Sequence, residues 1–182
     1  MSGVLQLHIG CGERFIPGFV HIDVRKFPHI DHVTSADKLQ MFEDNSVDLI
    51  YCAHILEHFP RPRTKAVLAE WHRVLKPKGV LRVAVPDFEA LAEVYSGTGD
   101  ISKVLGPLVG RQDYPENTHY MVFDFISLKN LLESVGFVNI RRYDWRETIH
   151  RDYDDFSQAY IPHMDKERGR LISLNVEAEK QG

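Results

Sequence analysis

Two cysteines, Cys11 and Cys52, are all that the 182 residues contain. That is too few for a disulfide framework, and a reduced, cytoplasmic setting is the expectation. Excess positive charge is missing too: 22 Lys and Arg against 26 Asp and Glu leave a formal net charge of -4. A nucleic-acid partner, which calls for a basic patch or stripe, is therefore not expected. No apolar run approaches the roughly 20 residues of a bilayer-crossing helix. The opening MSGVLQLHIG lacks the charged n-region and long h-region of a signal peptide, so no membrane association is expected. No repeat or low-complexity stretch divides the chain. Its length suits a single domain over residues 1–182, able to bury a core without disulfides or structural metal.

What the chain does have is an alternation of short apolar runs with helical stretches. Strands are predicted at Val4–Ile9, Phe19–Val24, weakly at His32–Thr34, then at Val47–Ala53, Gly79–Val85, Phe137–Tyr143 and Leu171–Ala178. Val67, Leu68, Trp71, Val74 and Leu75 line one face of a helix over Thr64–Leu75, which Lys76-Pro77-Lys78-Gly79 stops. A second helix is predicted over Leu128–Val135, ended by Gly136. Alternating strands and helices imply right-handed crossovers, a mostly parallel sheet and a three-layer α/β domain. Residues 96–124 and 144–170 read as irregular. Stretches that long are usually functional, and both are expected over the top of the sheet, where open α/β folds bind ligands.

The first strand runs into Gly10-Cys11-Gly12, whose glycines let backbone approach a ligand closely or simply turn the chain. The third glycine of a dinucleotide fingerprint is absent, which counts against a pyrophosphate-bearing cofactor. Asp23 ends the second strand, as a solvated acid or as an acceptor for ribose hydroxyls. Gly10 and Asp23 stand so close in sequence that only a curtailed helix or an open turn over Glu13–Gly18 fits between the strands.

LHIGCG, HIDV, EDNSVDLIYCAHILEHF and EWHRVLKPKGVLRVAVPDFE, in that order and spacing, resemble the class I S-adenosylmethionine-dependent methyltransferases over about residues 4–95. The remainder, with DYDDFSQAYIPHMD and SLNVEAEK, is similar to small methyltransferases of glycan and polysaccharide biosynthesis. The resemblance implies a three-layer αβα Rossmann-like fold, its seven-stranded, mostly parallel sheet ending in an antiparallel strand inserted beside its neighbour. It implies S-adenosylmethionine as cofactor, with Gly10, Cys11 and Gly12 along its methionine and ribose portion and Asp23 on the ribose hydroxyls. Ala36, Asp37, Lys38 and Leu39 would flank adenine, and His54 would face the sulfonium and substrate. His8 stands where many members carry an acid, and Arg14 is the candidate partner for the cofactor carboxylate. The family's longer members carry an N-terminal helix with no counterpart in this sequence. One sheet face is therefore expected to be thinly covered, and a homodimer could cover it.

Methyl transfer to a hydroxyl needs an in-line arrangement and profits from a general base. His54, His58, Glu57, Asp87 and His119 are candidates, with His54 and His119 preferred. His54 and His58 share a helical face if a helix starts at once, and the pair resembles a metal motif. No third ligand is evident nearby, so no metal is expected. The segment from His150 to Asp165 carries Asp152, Asp154, Asp155 and His163 among aromatics. It suits recognition of a sugar or glycan acceptor, or else is a solvated acidic loop. Sugar O-methylation is the leading expectation. Methylation of a nonsugar metabolite and an inactive, partner-binding methyltransferase-like domain are the alternatives. Arg82, Arg141 and Arg142 read as surface charges on strands.

Overall fold

A computed structural model describes residues 3–182. In chain order the elements are β1 (Gln6–Ile9), β2 (Val20–Asp23), β3 (His32–Val33), β4 (Val47–Ala53), α1 (Arg61–Val74), β5 (Leu75–Pro86), α2 (Phe88–Thr98), α3 (Ser102–Val109), α4 (Phe125–Glu133), β6 (Phe137–Arg142), β7 (Tyr160–Ile161), β8 (Arg170–Leu171) and β9 (Ser173–Lys180). Seven strands form one sheet in the order β3-β2-β1-β4-β5-β9-β6, while β7 and β8 pair separately. β9 runs antiparallel to both neighbours, with Val176 opposite Val83 of β5 and next to Arg142 of β6. This is the expected α/β sheet with its last strand inserted.

The strand alternation gives the sheet two unlike faces. Leu7, Ile9, Ile22, Ile50, Cys52, Leu81, Val83, Leu174 and Val176 point to one side. There they pack on Val67, Leu68 and Trp71 of α1 and Leu128 and Leu132 of α4. The other face carries His8, His21, Tyr51, Arg82, Asn175 and Glu177. Its cover is mostly loop: Ile16 and Phe19 from the β1–β2 turn, and Tyr153 from the stretch after β6. His8 stacks on Tyr51, and Tyr51 on His150, with centroids 5.1 and 3.8 Å apart. The thinner face predicted by the resemblance is thus closed by the chain's own residues.

Glu177 explains how an antiparallel strand is accepted between β5 and β6. It sits opposite both Arg82 and Arg141 and accepts from each, at 2.6 and 2.5 Å. Opposite charges facing across strands favour one register. Arg142 reaches Asp87 at 3.0 Å. All three arginines stand on strands as expected, Arg141 and Arg142 at the surface, and each is an ion-pair partner.

Other departures have local causes. Residues between β1 and β2 form an open turn, as the short spacing required. The stretch 96–124, expected to be irregular, contains the end of α2 and all of α3. Gly99 and Gly110, at φ 65° and 76°, cap those helices at their C-termini. β5 begins at Leu75, ahead of the Lys76–Gly79 turn that was expected to precede it. Among the described residues no helix is long and apolar enough to cross a membrane.

Candidate active site

A cavity of about 1040 Å³ opens at the carboxyl ends of β1, β2 and β4. Its first wall is backbone. Gly10 and Gly12 adopt φ of 69° and 58°, conformations that favour glycine, and a Cβ on Gly10 would run into the Ile55 side chain. Asp23, buried at the end of β2, holds the turn. One carboxylate oxygen accepts from the Gly12 N–H and the other from the Arg25 N–H, each at 2.8 Å. Each oxygen has two lone pairs, so acceptor capacity remains on the cavity side. Cys11 is buried between the glycines, and desolvation with the nearby Asp23 charge pushes its thiol up to about 12, which keeps it unreactive.

The opposite end is built from side chains. Beyond β4, His54 takes a left-handed turn (φ 56°) and a 3₁₀ turn covers Leu56–His58. His54 and His58 thus leave the strand on a tight turn and do not stack along an α-helix as expected. Glu57 is fully buried, and neither of its oxygens has a hydrogen-bond partner among the described residues. Its backbone carbonyl accepts from the Tyr120 and Met121 N–H groups at 2.8 and 3.2 Å. Those bonds dock the segment that carries His119 against the β4 end. His54 Nδ1 lies 3.4 Å and His119 Nε2 4.0 Å from Glu57 Oε1. The His58 and His119 rings meet edge to face at 4.7 Å.

Burial sets the charges here. Desolvation lifts the Glu57 carboxyl to about 8. It also lowers His54 to about 3 and His119 to about 4, helped by the neighbouring imidazoles. At neutral pH the contacts are therefore between uncharged groups and are not ion pairs.

The outer wall comes from the stretch after β6. Asp155 caps the 3₁₀ turn over Phe156–Gln158, accepting from the Ser157 N–H, and also accepts from the Tyr51 hydroxyl of β4. Asn175 donates to the Ser157 carbonyl at 2.9 Å. These bonds hold Phe156, half exposed, over the cavity mouth 5.5 Å from His54. Arg14 spans the gap, donating to the Asp154 carbonyl at 2.6 Å with its guanidinium over the Phe156 ring.

His8, Gly10, Cys11, Gly12, Arg14, Asp23, Ala36, His54, His58, His119, Asp155 and His163 all line the cavity. Other sequence candidates fall elsewhere. Asp37 pairs with Arg63, Lys38 is exposed and Leu39 is core, so the wall after β3 is Thr34, Ser35 and Ala36, a few residues earlier. Asp87 caps α2, pairs with Arg142 and does not line the cavity. Asp152 and Asp154 are exposed, beside Arg151 and Lys166. His8 is buried in the ring stack, lowered to about 3 mainly by burial, and brings no charge to the glycine turn. Phe156 and Tyr160, among the aromatics of the segment read as an acceptor site, line the cavity too, whereas sequence reasoning missed that His119 joins Glu57 and His58. The HILEH spacing signalled only the second of those histidines.

A methyltransferase domain model matches residues 16–83. An uncharacterized methyltransferase-like protein of Schizosaccharomyces pombe is 28% identical over 162 residues, covering 84% of this chain and 57% of that protein. The chain thus spans a little over half the length of that relative. Among solved structures, a SAM-dependent methyltransferase from Archaeoglobus fulgidus aligns with TM-score 0.61 and 16% identity over 97% of this chain and 86% of that one. A possible histamine N-methyltransferase from Thermotoga maritima gives 0.62 and 16% over 100% and 84%. The 1,6-didemethyltoxoflavin-N1-methyltransferase of Burkholderia thailandensis, with bound S-adenosylhomocysteine, gives 0.59 and 15% over 98% and 71%. At such identities the structural likeness speaks for the fold. The matched stretch is that of a methyltransferase domain, and the fold is one found in S-adenosylmethionine-dependent methyltransferases.

Proposed function

We propose that the chain is an S-adenosylmethionine-dependent methyltransferase acting on the hydroxyl of a sugar or glycan. The observation that carries this reading is a glycine turn braced by Asp23 at one end of a cavity whose other end is ringed by uncharged imidazoles. The cavity and the turn fit the cofactor: Gly10 leaves backbone exposed where any side chain would clash, and Asp23 keeps lone pairs for two hydroxyls. S-adenosylmethionine, when bound, supplies an electrophilic methyl carbon. Gly10–Gly12 and Asp23 hold its methionine and ribose portion, and Thr34, Ser35 and Ala36 flank its base. Arg14 and Arg25 both line the cavity, and Arg14 offers a partner for the cofactor carboxylate.

His54 and His119 are unprotonated at neutral pH, so the wall beside the acceptor hydroxyl carries no positive charge. Phe156 and Tyr160 offer aromatic faces to a sugar ring, and His163 a polar rim. A small nonsugar acceptor is the second reading, favoured by the outward position of Asp152 and Asp154.

Calorimetric titration with S-adenosylhomocysteine tests the class. Micromolar binding, weakened at least tenfold by Asp23→Ala, is expected, since loss of hydrogen bonds to a charged group costs about 1.5–3 kcal/mol. No binding by folded wild type would overturn the reading in favour of a partner-binding domain. Turnover with sugar nucleotides or glycans, set against nonsugar metabolites, separates the two acceptors.

A further inference from the structure

Glu57 poses a problem that the methyl-transfer reading leaves unsolved. A fully buried carboxyl normally finds donors, because an unpartnered polar group costs the full desolvation penalty. Here both oxygens lack them among the described residues.

The hydrogen bonds on the far side of each ring explain why. His119 Nδ1 lies 2.8 Å from the Pro107 carbonyl and His58 Nδ1 lies 3.1 Å from the Thr118 carbonyl. A carbonyl only accepts, so both Nδ1 atoms carry the proton, and Nε2 of each neutral ring is left as a bare lone pair. His54 reaches the same state by a longer route. Asn175 donates its amide N–H to the Ser157 carbonyl, so its carbonyl oxygen accepts from the Ser173 hydroxyl at 3.0 Å. The Ser173 oxygen in turn accepts from His54 Nε2 at 3.1 Å, which leaves His54 Nδ1 bare and facing Glu57. A single proton on Glu57 can satisfy only one of these nitrogens. A cation can satisfy several.

We propose that Glu57, His58 and His119, with His54 beside them, bind one divalent first-row transition-metal ion, best matched by Zn²⁺, on the cavity wall. One ligand atom from each of the first three lies within 4.8 Å of the others. Two ligands each about 2.0–2.2 Å from a common ion sit roughly 3–4 Å apart, so small side-chain shifts complete the set. Imidazole with carboxylate suits Zn²⁺, Co²⁺ or Fe²⁺ over Mg²⁺ or Ca²⁺, which take oxygen. The Pro107 and Thr118 carbonyls are the outer partners that fix ligating imidazoles in the right tautomer. Three protein ligands leave a position open to the cavity, as in sites that bind an outside oxygen. Only the role of the ion rests on the methyltransferase reading, because its binding is a property of these four residues.

The test uses the full chain stripped by chelator and then titrated with Co²⁺ and Zn²⁺. Wild type is expected to take one equivalent of Co²⁺ with visible d–d absorption, to lose that absorption to Zn²⁺, and to melt at a higher temperature with Zn²⁺. Glu57→Gln and His119→Ala should each weaken Zn²⁺ binding at least tenfold. Glu57→Gln keeps the shape of the side chain, and circular dichroism of the metal-free variants establishes that they fold. Folded wild type with no d–d absorption and no melting shift overturns the proposal. So does undiminished binding in both variants, which would put the ion elsewhere, or Mg²⁺ bound more tightly than Zn²⁺. S-adenosylhomocysteine titration of the same samples keeps the two readings apart. Zn²⁺ bound without it would leave the site standing and sink the methyltransferase, and the reverse would sink the site alone.

Discussion

The two ends of the cavity are made by opposite means. At the β1–β2 end the wall is backbone, held by one carboxylate eleven residues from the glycine it binds. At the β4 end the wall is side chains, drawn from 54–58 and from 119, and fastened by backbone bonds between segments about sixty residues apart. A backbone site depends on conformation that few residue types can adopt. A side-chain site depends on tautomers and burial, and so on pH. The contrast teaches where each end is fragile.

The strongest way to break the comparison is Gly10→Val. Left-handed φ and the adjacent Ile55 leave no room for the side chain, and S-adenosylhomocysteine binding should fall at least a hundredfold or vanish while far-ultraviolet circular dichroism stays native. Retained binding would mean that the turn is not the cradle.

Acid should expose the other end. His8, His54 and His150, lowered to about 3 chiefly by burial, bind protons in the unfolded chain near 6.5 but not in the fold. Their contribution is complete above about 6.5 and is lost as pH falls toward 3. Glu57, raised to about 8, works with the opposite sign, weakening the metal-free fold as pH rises from 4.5 to 8. Melting curves of metal-free wild type and Glu57→Gln should diverge across that window, with the variant gaining. Parallel curves would mean that the carboxyl is not desolvated.

Smaller effects sharpen the picture. Asp155→Asn weakens the acceptor of the Tyr51 hydroxyl and the cap of the 156–158 turn, and should cost about 1–2 kcal/mol in chemical denaturation. Arg14→Ala should weaken S-adenosylhomocysteine about fivefold, roughly 1 kcal/mol, and an unchanged affinity would remove Arg14 from the cofactor site. Asp154→Asn, at an exposed pair, should change stability by less than about 0.5 kcal/mol.

The contrast also decides what could be read from the amino-acid order. Val47–Ala53 forms a strand with the predicted bounds because every second residue meets a helix and the rest a packed loop. The place of Gly10, Gly12 and Asp23 on the cavity wall was legible because it follows from strand ends and local geometry. Asp37, Lys38 and Leu39 were misplaced by a few residues, since β3 has only two residues and offers little pattern to fix its end. α3 was hidden by Gly106 and Pro107, breakers that a helix tolerates when Val104 can be buried. His119 was read as a candidate base, but nothing in the sequence set it beside Glu57 and His58. Its place depends on the Glu57 carbonyl taking two N–H groups from another segment, a fact of folding and not of spacing. Asp155 and Asp154 are chemically alike and adjacent, yet one is a buried brace and the other points outward.

One strand also sets an order of events in time. β6 touches the main sheet only through β9, which is made about 38 residues later. At roughly 5–20 residues per second, a ribosome needs about 2–8 s to bridge that interval. During it β6 has no partner in the sheet, while β1 to β5 can already align side by side. Closure of the sheet around Glu177 is therefore a late step in the birth of the molecule. For those seconds the exposed edge of β5 is the part of the nascent chain most open to pairing with the wrong strand.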